Sequence, residues 1–353
     1  MSETSSILAR LEARAGRLTL NRPEALHALN TAMCLEMIDA LVAWREDPAI
    51  GWVIIDHAAG TRGFCAGGDI RMLADSGRGD GLDARRFFHT EYQLNHLLHG
   101  YPKPVIAIMD GVTMGGGVGI SVHGAYRVAT ERTVFAMPET GIGLFPDVGG
   151  GWFLPRLNGP ELGTWLALTG ARLKGQDLIS AGVATHFALS AELSRLTPQL
   201  CAEGPAALAR QPSERTDITP YPGGLKPLFG YDTVEEIFAA LEGAEPQAGR
   251  NWPQEQLEIL KTKSPQTMKV ALRQLREGAR AASFAAVMTM EYRIACRVVH
   301  RHDFLEGVRA VIVDKDNAPH WRPATLEGVT PDMLDAIFAP LPPDEEWKPL
   351  PGL

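Results

Sequence analysis

Three short segments that read as buried strands, at residues 17–20, 52–56 and 105–110, constrain this chain more than any other feature. Each is too brief for a helix, and segments of helical periodicity separate them. In residues 31–46, Met33, Met37 and Leu41 recur at fourfold spacing beside Ile38 and Val42. That spacing predicts an amphipathic helix, which Asp47-Pro48 brings to an end. Strands separated by helices predict an α/β layer arrangement. The pattern then changes. Pro and Gly punctuate the stretch from Gly204 to Gly230, after which helical signals return. Thr233 and Glu236 stand at capping-box spacing, and Ser264-Pro265 reads as a helix start. Met268, Leu272 and Leu275 share one face, and Phe284, Met288, Tyr292, Ala295 and Val299 mark a further helix. An α/β core over residues 1–200 is expected, with a mainly helical region over residues 201–353 packed on it.

Composition narrows the partners rather than the fold. With 34 Lys and Arg against 42 Asp and Glu the net charge is −8, which argues against a nucleic-acid partner. An anionic small ligand stays open, because a few local Arg or Lys side chains can hold phosphates on an acidic protein. No apolar stretch is long enough to span a bilayer, so no membrane partner is expected. Residues 1–18 lack the basic-then-apolar pattern of a secretory signal, and Glu3 and Glu12 fit poorly with a transit peptide. Cys34, Cys65, Cys201 and Cys296 stand far apart with no C-x-x-C pair. Neither His96/His99 nor His300/His302 brings a recognisable third metal ligand. These features predict a reduced, cytoplasmic protein without a metal site.

Four segments carry chemistry. In Phe64-Cys65-Ala66-Gly67-Gly68-Asp69, the glycine pair lets the backbone turn sharply and leaves its N–H groups uncovered, although an ordinary turn would use the same residues. In residues 110–119, Gly115-Gly116-Gly117 leads into a helix predicted over residues 118–123. Bare amides at a helix N-terminus suit a phosphate or a developing oxyanion; tight strand–helix packing is the plainer use. Neither cluster satisfies G-x-G-x-x-G, no G-x-x-x-x-G-K occurs, and His123 replaces the last glycine of a serine-hydrolase elbow. The third segment, residues 137–151, places Glu139 and Asp147 among apolar residues, Gly and Pro. Such surroundings suggest a partly dry pocket, with capping or turn-stabilising acids as the alternative. Fourth, Glu91 falls on the stripe Phe87, Leu94, Leu98 of a helix predicted over residues 85–98. A charge there needs a partner or lines a cavity, unless the face is misassigned.

Taken together and in order, these segments resemble the crotonase (enoyl-CoA hydratase/isomerase) superfamily. The resemblance takes in Asn21-Arg22-Pro23-Glu24-Ala25-Leu26-His27-Ala28-Leu29 and spans roughly residues 17–185, with His27 where asparagine is common. It implies an α/β fold with a ClpP/crotonase-like ββα-superhelix spiral core that binds a bent acyl-CoA. The thioester oxygen would sit on the backbone amides of Gly68 and Gly116, an oxyanion hole, with Leu26, Ala66 and Arg71 toward the coenzyme A moiety.

The acids decide the branch. Typical hydratases carry a glutamate at the G-G-G-x-x-E position, here Gly119, and another at the P-E position, here Glu139; Asp147 stands where they commonly have glycine. This altered pattern, with residues 114–123, 137–157 and 303–310, resembles the 3-hydroxyisobutyryl-CoA hydrolase branch, which serves valine degradation. The resemblance implies hydrolysis of a short-chain 3-hydroxyacyl-CoA thioester. Glu139 would act as nucleophile or as general base. Asp147 would orient the acyl 3-hydroxyl and assist proton transfer, with Glu91 as a supporting contact. Glu91, Gly116, Glu139 and Asp147 fall on the branch's substrate-contacting positions. No cofactor is implied, since coenzyme A is part of the substrate. Members often assemble as trimers or dimers of trimers, so a homo-oligomer is an expected state. The alternatives are an enoyl-CoA hydratase or isomerase with rearranged acids and a non-catalytic acyl-CoA-binding protein.

Overall fold

A computed structural model describes residues 5–210, 224–246 and 251–352. The Pro- and Gly-punctuated stretch from Gly204 to Gly230 therefore lies partly outside the described residues. Among the described residues ten strands form: β1 (Ile7–Glu12), β2 (Ala15–Leu20), β3 (Trp52–His57), β4 (Gly63–Cys65), β5 (Val105–Met109), β6 (Val112–Met114), β7 (Tyr126–Ala129), β8 (Val134–Ala136), β9 (Leu173–Lys174) and β10 (His186–Phe187). One sheet has the order β1-β2-β3-β5-β7-β10, parallel apart from the β1–β2 hairpin. The second has the order β4-β6-β8-β9, parallel apart from β9.

The connections explain this pairing. After β3, β5 and β7 the chain turns within a few residues and lays down β4, β6 and β8 in the second sheet. Each pass of the spiral thus adds one strand to each sheet before the chain returns. The central strands β2, β3 and β5 of the first sheet are buried on both faces, as parallel strands covered on both sides must be, whereas the edge strand β1 is largely exposed. In β3, Val53 and Ile55 enter the large core while Trp52 and Ile54 enter a smaller cluster with Ile106, Val128, Leu196 and Leu200. The helix Leu193–Glu203 supplies the last two of these. The large cluster runs from Ile7 to Trp347 and takes in Leu257, Met268, Phe284, Ile294 and Phe304 of the C-terminal helices, so both parts of the chain share one apolar interior.

The helix Thr31–Arg45 forms where the spacing predicts it, and the Asn30 side chain caps it by accepting the Met33 N–H at 2.9 Å. Met33, Met37, Ile38 and Leu41 are buried, whereas Val42 is half exposed. One residue advances the helix by a further hundred degrees, which carries position 42 past the buried stripe. The helix expected over residues 118–123 is instead a four-residue turn of helix at Gly116–Gly119, which starts two residues earlier because the Val118 and Gly119 N–H groups bond back to Gly115 O.

Candidate active site

The two glycine turns leave the ends of neighbouring strands. Beyond β4, the Leu29 N–H donates to Gly67 O at 2.7 Å and the Asp69 N–H to Leu29 O at 2.9 Å, so Leu29 grips the turn on either side of Gly68. Gly67 sits at φ +118, where a side chain would strain the backbone. Beyond β6, Gly115 at φ +46 swings the chain into Gly116–Gly119. The turns touch. A Cβ on Gly67 would lie 3.5 Å from Met114 O and 3.8 Å from the Gly116 nitrogen. One on Gly117 would run into Cys65 O, so close strand–helix packing and bare amides are both served by this glycine run. Among the described residues, the Gly68 and Gly116 N–H groups donate to no backbone carbonyl.

Three carboxylates from three separate elements meet these turns. Glu91 comes from the middle of the helix Leu82–His99, Glu139 opens the 3-10 turn Glu139–Ile142 just after β8, and Asp147 follows in the next loop. They line a cavity of about 80 Å³ with Ala66, Gly67, Gly68, Gly115, Gly116, Phe87, Phe88, Ile142 and Leu144. A Cβ on Gly116 would stand 2.5 Å from Glu91 Oε1, and one on Gly115 would stand 3.2 Å from Glu139 Oε1. Glu91, Glu139 and Asp147 are 2%, 5% and 5% exposed, and neither Glu91 Oε1 nor Glu139 Oε2 has a hydrogen-bond partner among the described residues.

Among the described residues no cation lines this cavity, so charge is hard to keep there. Burial, and then the facing Asp147 and Glu139 carboxylates, push Glu91 well above the usual carboxylate range. Burial and Asp147 do the same to Glu139. Asp147 is raised to about 7 by burial, against the lowering effect of the Tyr92 hydroxyl, which donates to Oδ2 at 2.9 Å. Three acids in so small a space titrate together rather than independently.

Leu26 and Arg71 do not line the cavity. Leu26 O accepts the Ala66 N–H at 3.1 Å and so holds the turn from behind; Arg71 reaches outward and donates to Ile312 O at 3.1 Å. His27 has a clear structural role. Its Nδ1 accepts the Arg22 N–H at 3.0 Å, which leaves the proton on Nε2 to be donated to Thr61 Oγ1 at 3.1 Å, while Cys65 Sγ–H donates to His27 O at 3.1 Å. Burial and the neighbouring His57 lower its pKa to about 4, so it is neutral. His27 therefore braces the 22–28 loop against the strand that ends at the Gly67-Gly68 turn. Replacing His27 with Ala leaves the part-buried Arg22 N–H without its acceptor and is expected to lower unfolding free energy by about 1–2 kcal/mol, read from urea midpoints. His27→Asn, which keeps an acceptor and a donor, should cost less.

Sequence reasoning missed the groups that hold the Asp147 loop. Val148 is at φ +54, and His123 Nε2 donates to its carbonyl at 2.8 Å. The buried Glu291 accepts from Gly149 N–H and Gly151 N–H at 2.7 and 2.8 Å. Gln274 Nε2 donates to Pro146 O at 2.7 Å. A signal for Glu291 did exist, since it lies one turn from Val287 and Met288 and on their buried side. Among the described residues no cluster of three or more His, Cys, Asp or Glu side chains is arranged to hold a metal ion, and no helix is long and apolar enough to cross a membrane.

The architecture, a spiral of paired strands with its cavity where consecutive passes meet, is the crotonase fold. The chain belongs to the enoyl-CoA hydratase/isomerase family, whose sequence profile matches residues 15–338. It is 48% identical to the mitochondrial 3-hydroxyisobutyryl-CoA hydrolase of Xenopus laevis, over 93% of this chain and 87% of that protein. Among solved structures it is similar to a carnitinyl-CoA dehydratase from Mycobacterium thermoresistibile, at 40% identity and a TM-score of 0.89 over 96% of this chain and 98% of that one. An enoyl-CoA hydratase from Rhodobacter sphaeroides follows at 38% identity and a TM-score of 0.88, over 98% and 100% of the two chains.

Proposed function

We propose that this chain is an acyl-CoA thioester hydrolase that converts a short-chain 3-hydroxyacyl-CoA, foremost 3-hydroxyisobutyryl-CoA, to the free hydroxy acid and coenzyme A, the reaction that valine degradation requires. The supporting observation is the meeting of Glu139 and Asp147 with the Gly68 and Gly116 turns in one small dry cavity. The relatives named for this hydrolysis at more than 40% identity point the same way.

A hydratase of the usual kind would need a glutamate at position 119. A Cβ there would stand 2.6 Å from Val148 Cβ and 2.8 Å from Asn95 Nδ2, so the space for that acid is filled. Cavity size supports a short acyl group. The cavity's roughly 80 Å³ is closed in by Phe87, Phe88, Ile142 and Leu144, which leaves little room for a long chain.

In the mechanism, the Gly68 and Gly116 amides receive the thioester oxygen and stabilise the negative charge that develops on it. Glu139 drives the attack on the carbonyl carbon by one of two routes. Either its carboxylate adds to the carbonyl carbon and water later cleaves the mixed anhydride, or it takes a proton from a water that adds directly. In both routes the C–S bond breaks and the sulfur leaves with a proton. Asp147, held near neutral pH at its own midpoint, hydrogen-bonds the substrate 3-hydroxyl and delivers that proton, with Glu91 as a further polar contact. Single turnover in ¹⁸O-labelled water tests the anhydride route, because solvent oxygen reaches Glu139 only when water opens an anhydride at the Glu139 carbonyl carbon. The sum is thioester plus water giving acid plus thiol, which requires no redox group; coenzyme A enters as part of the substrate. Four buried free cysteines suit a reducing compartment, and we place the protein in the cytoplasm, in contrast to the mitochondrial relatives.

Incubation with 3-hydroxyisobutyryl-CoA should release one free thiol per ester, while the enoyl absorbance of crotonyl-CoA should stay unchanged. Loss of that absorbance without thiol release would replace this reading with a hydratase; tight ester binding with neither signal would replace it with a binding protein.

A further inference from the structure

The Asp147 loop holds a conformation that it would not keep unaided. Val148 at φ +54 is a β-branched residue in left-handed space, and Gly149 follows at φ +89. Besides His123, which holds the Val148 carbonyl, the loop's support comes from outside the α/β core. Glu291, on the helix Phe284–Val298, is fully buried; its Oε2 accepts the Gly149 N–H at 2.7 Å and its Oε1 the Gly151 N–H at 2.8 Å. Gln274, on the helix Pro265–Arg280, spends one amide hydrogen on Pro146 O at 2.7 Å and the other on Glu291 Oε1 at 2.8 Å. The residue before Asp147 and the two amides that follow are therefore tied to a single carboxylate–amide pair. A carboxylate is a costly group to bury, and two neutral side chains could have satisfied the same N–H groups. Two oxygens on one rigid plane, though, fix the direction of the loop as well as its position.

We propose that Glu291 is the positioning residue for Asp147: with Gln274 it clamps residues 146–151 so that the Asp147 carboxylate points into the cavity, making the C-terminal helices part of the site's geometry. This rests on the reading that Asp147 acts in thioester hydrolysis. Glu291 itself touches no substrate. Its loss lets the loop relax and turns Asp147 away, leaving the amide turns and the acyl-CoA contacts in place.

A double-mutant cycle followed by thiol release from 3-hydroxyisobutyryl-CoA tests this on the full-length protein. Glu291→Gln presents an NH₂ to one of the two loop amides. It is expected to lower kcat at least about tenfold with KM within about twofold, and to change kcat less than about twofold in the Asp147→Asn background. Gln274→Met, which deletes both donors and leaves the carboxylate, is run through the same cycle and decides between the outcomes if Glu291→Gln does not fold. Equal losses in both backgrounds, a loss confined to KM, or wild-type turnover would overturn the Glu291 proposal. If Asp147→Asn alone keeps wild-type turnover, the proposed role of Asp147 fails and takes this inference with it, a result separate from the others.

Discussion

Replacing Glu139 with Gln is expected to lower thiol release by at least about 10³-fold, while a CoA ester binds within about twofold of wild type. The exchange is nearly isosteric, so the cavity keeps its shape. What disappears is the negative charge, and with it both the nucleophilic oxygen and the base. Glu139 Oε2 makes no hydrogen bond that an amide would break, and burial already disfavours the charged form. The variant should therefore fold at least as stably as wild type, so lost turnover reports on chemistry. Stopped-flow thiol detection with parallel ester-binding titration makes the measurement. Near-wild-type turnover would remove Glu139 from the reaction.

The second large effect joins activity to stability. Asp147→Asn should slow hydrolysis by about 10²-fold or more and make the protein harder to unfold above neutral pH. The sign follows from proton binding. Asp147 titrates at about 7 in the folded chain against about 3.9 in an unfolded one, so between these values the folded state holds the extra proton. Stability from this group is complete below pH 4, falls as the pH rises toward 7, and stays lost above it. Asparagine cannot ionise and can still accept from the Tyr92 hydroxyl. The variant's advantage in urea should thus be small at pH 4, grow through pH 7, and reach on the order of 2 kcal/mol at pH 8. An advantage equal at both pH values would show that Asp147 is not the strained acid of the site.

The strands β2, β3 and β5 were legible in the sequence, the last two because burial on both faces leaves near-continuous apolar runs. The three-residue strands β4, β6 and β8 were not, since no period can be read over so few residues. Glu91 stood out as an acid on an apolar stripe, and the structure places it in the cavity with Glu139 and Asp147. Those two were legible from their dry surroundings. Tyr92 and Glu291 reach the site across 55 and 142 residues of sequence, distances at which side-chain pairing leaves no local trace. The early start of the helix at Gly116 escaped notice because glycine carries no helical preference to mark it.

The spiral sets how this site can vary. The Gly68 turn follows β4, the Gly116 turn follows β6 and Glu139 follows β8, three consecutive rungs of the same short ladder. Each coil of the chain delivers a single functional group to a common line, like teeth cut on stacked washers. Residues gained or lost in the returns between coils can bulge outward without disturbing that line. A slip of one position in any of the three rungs would rotate its tooth out of alignment, and no adjustment in the other coils could restore it.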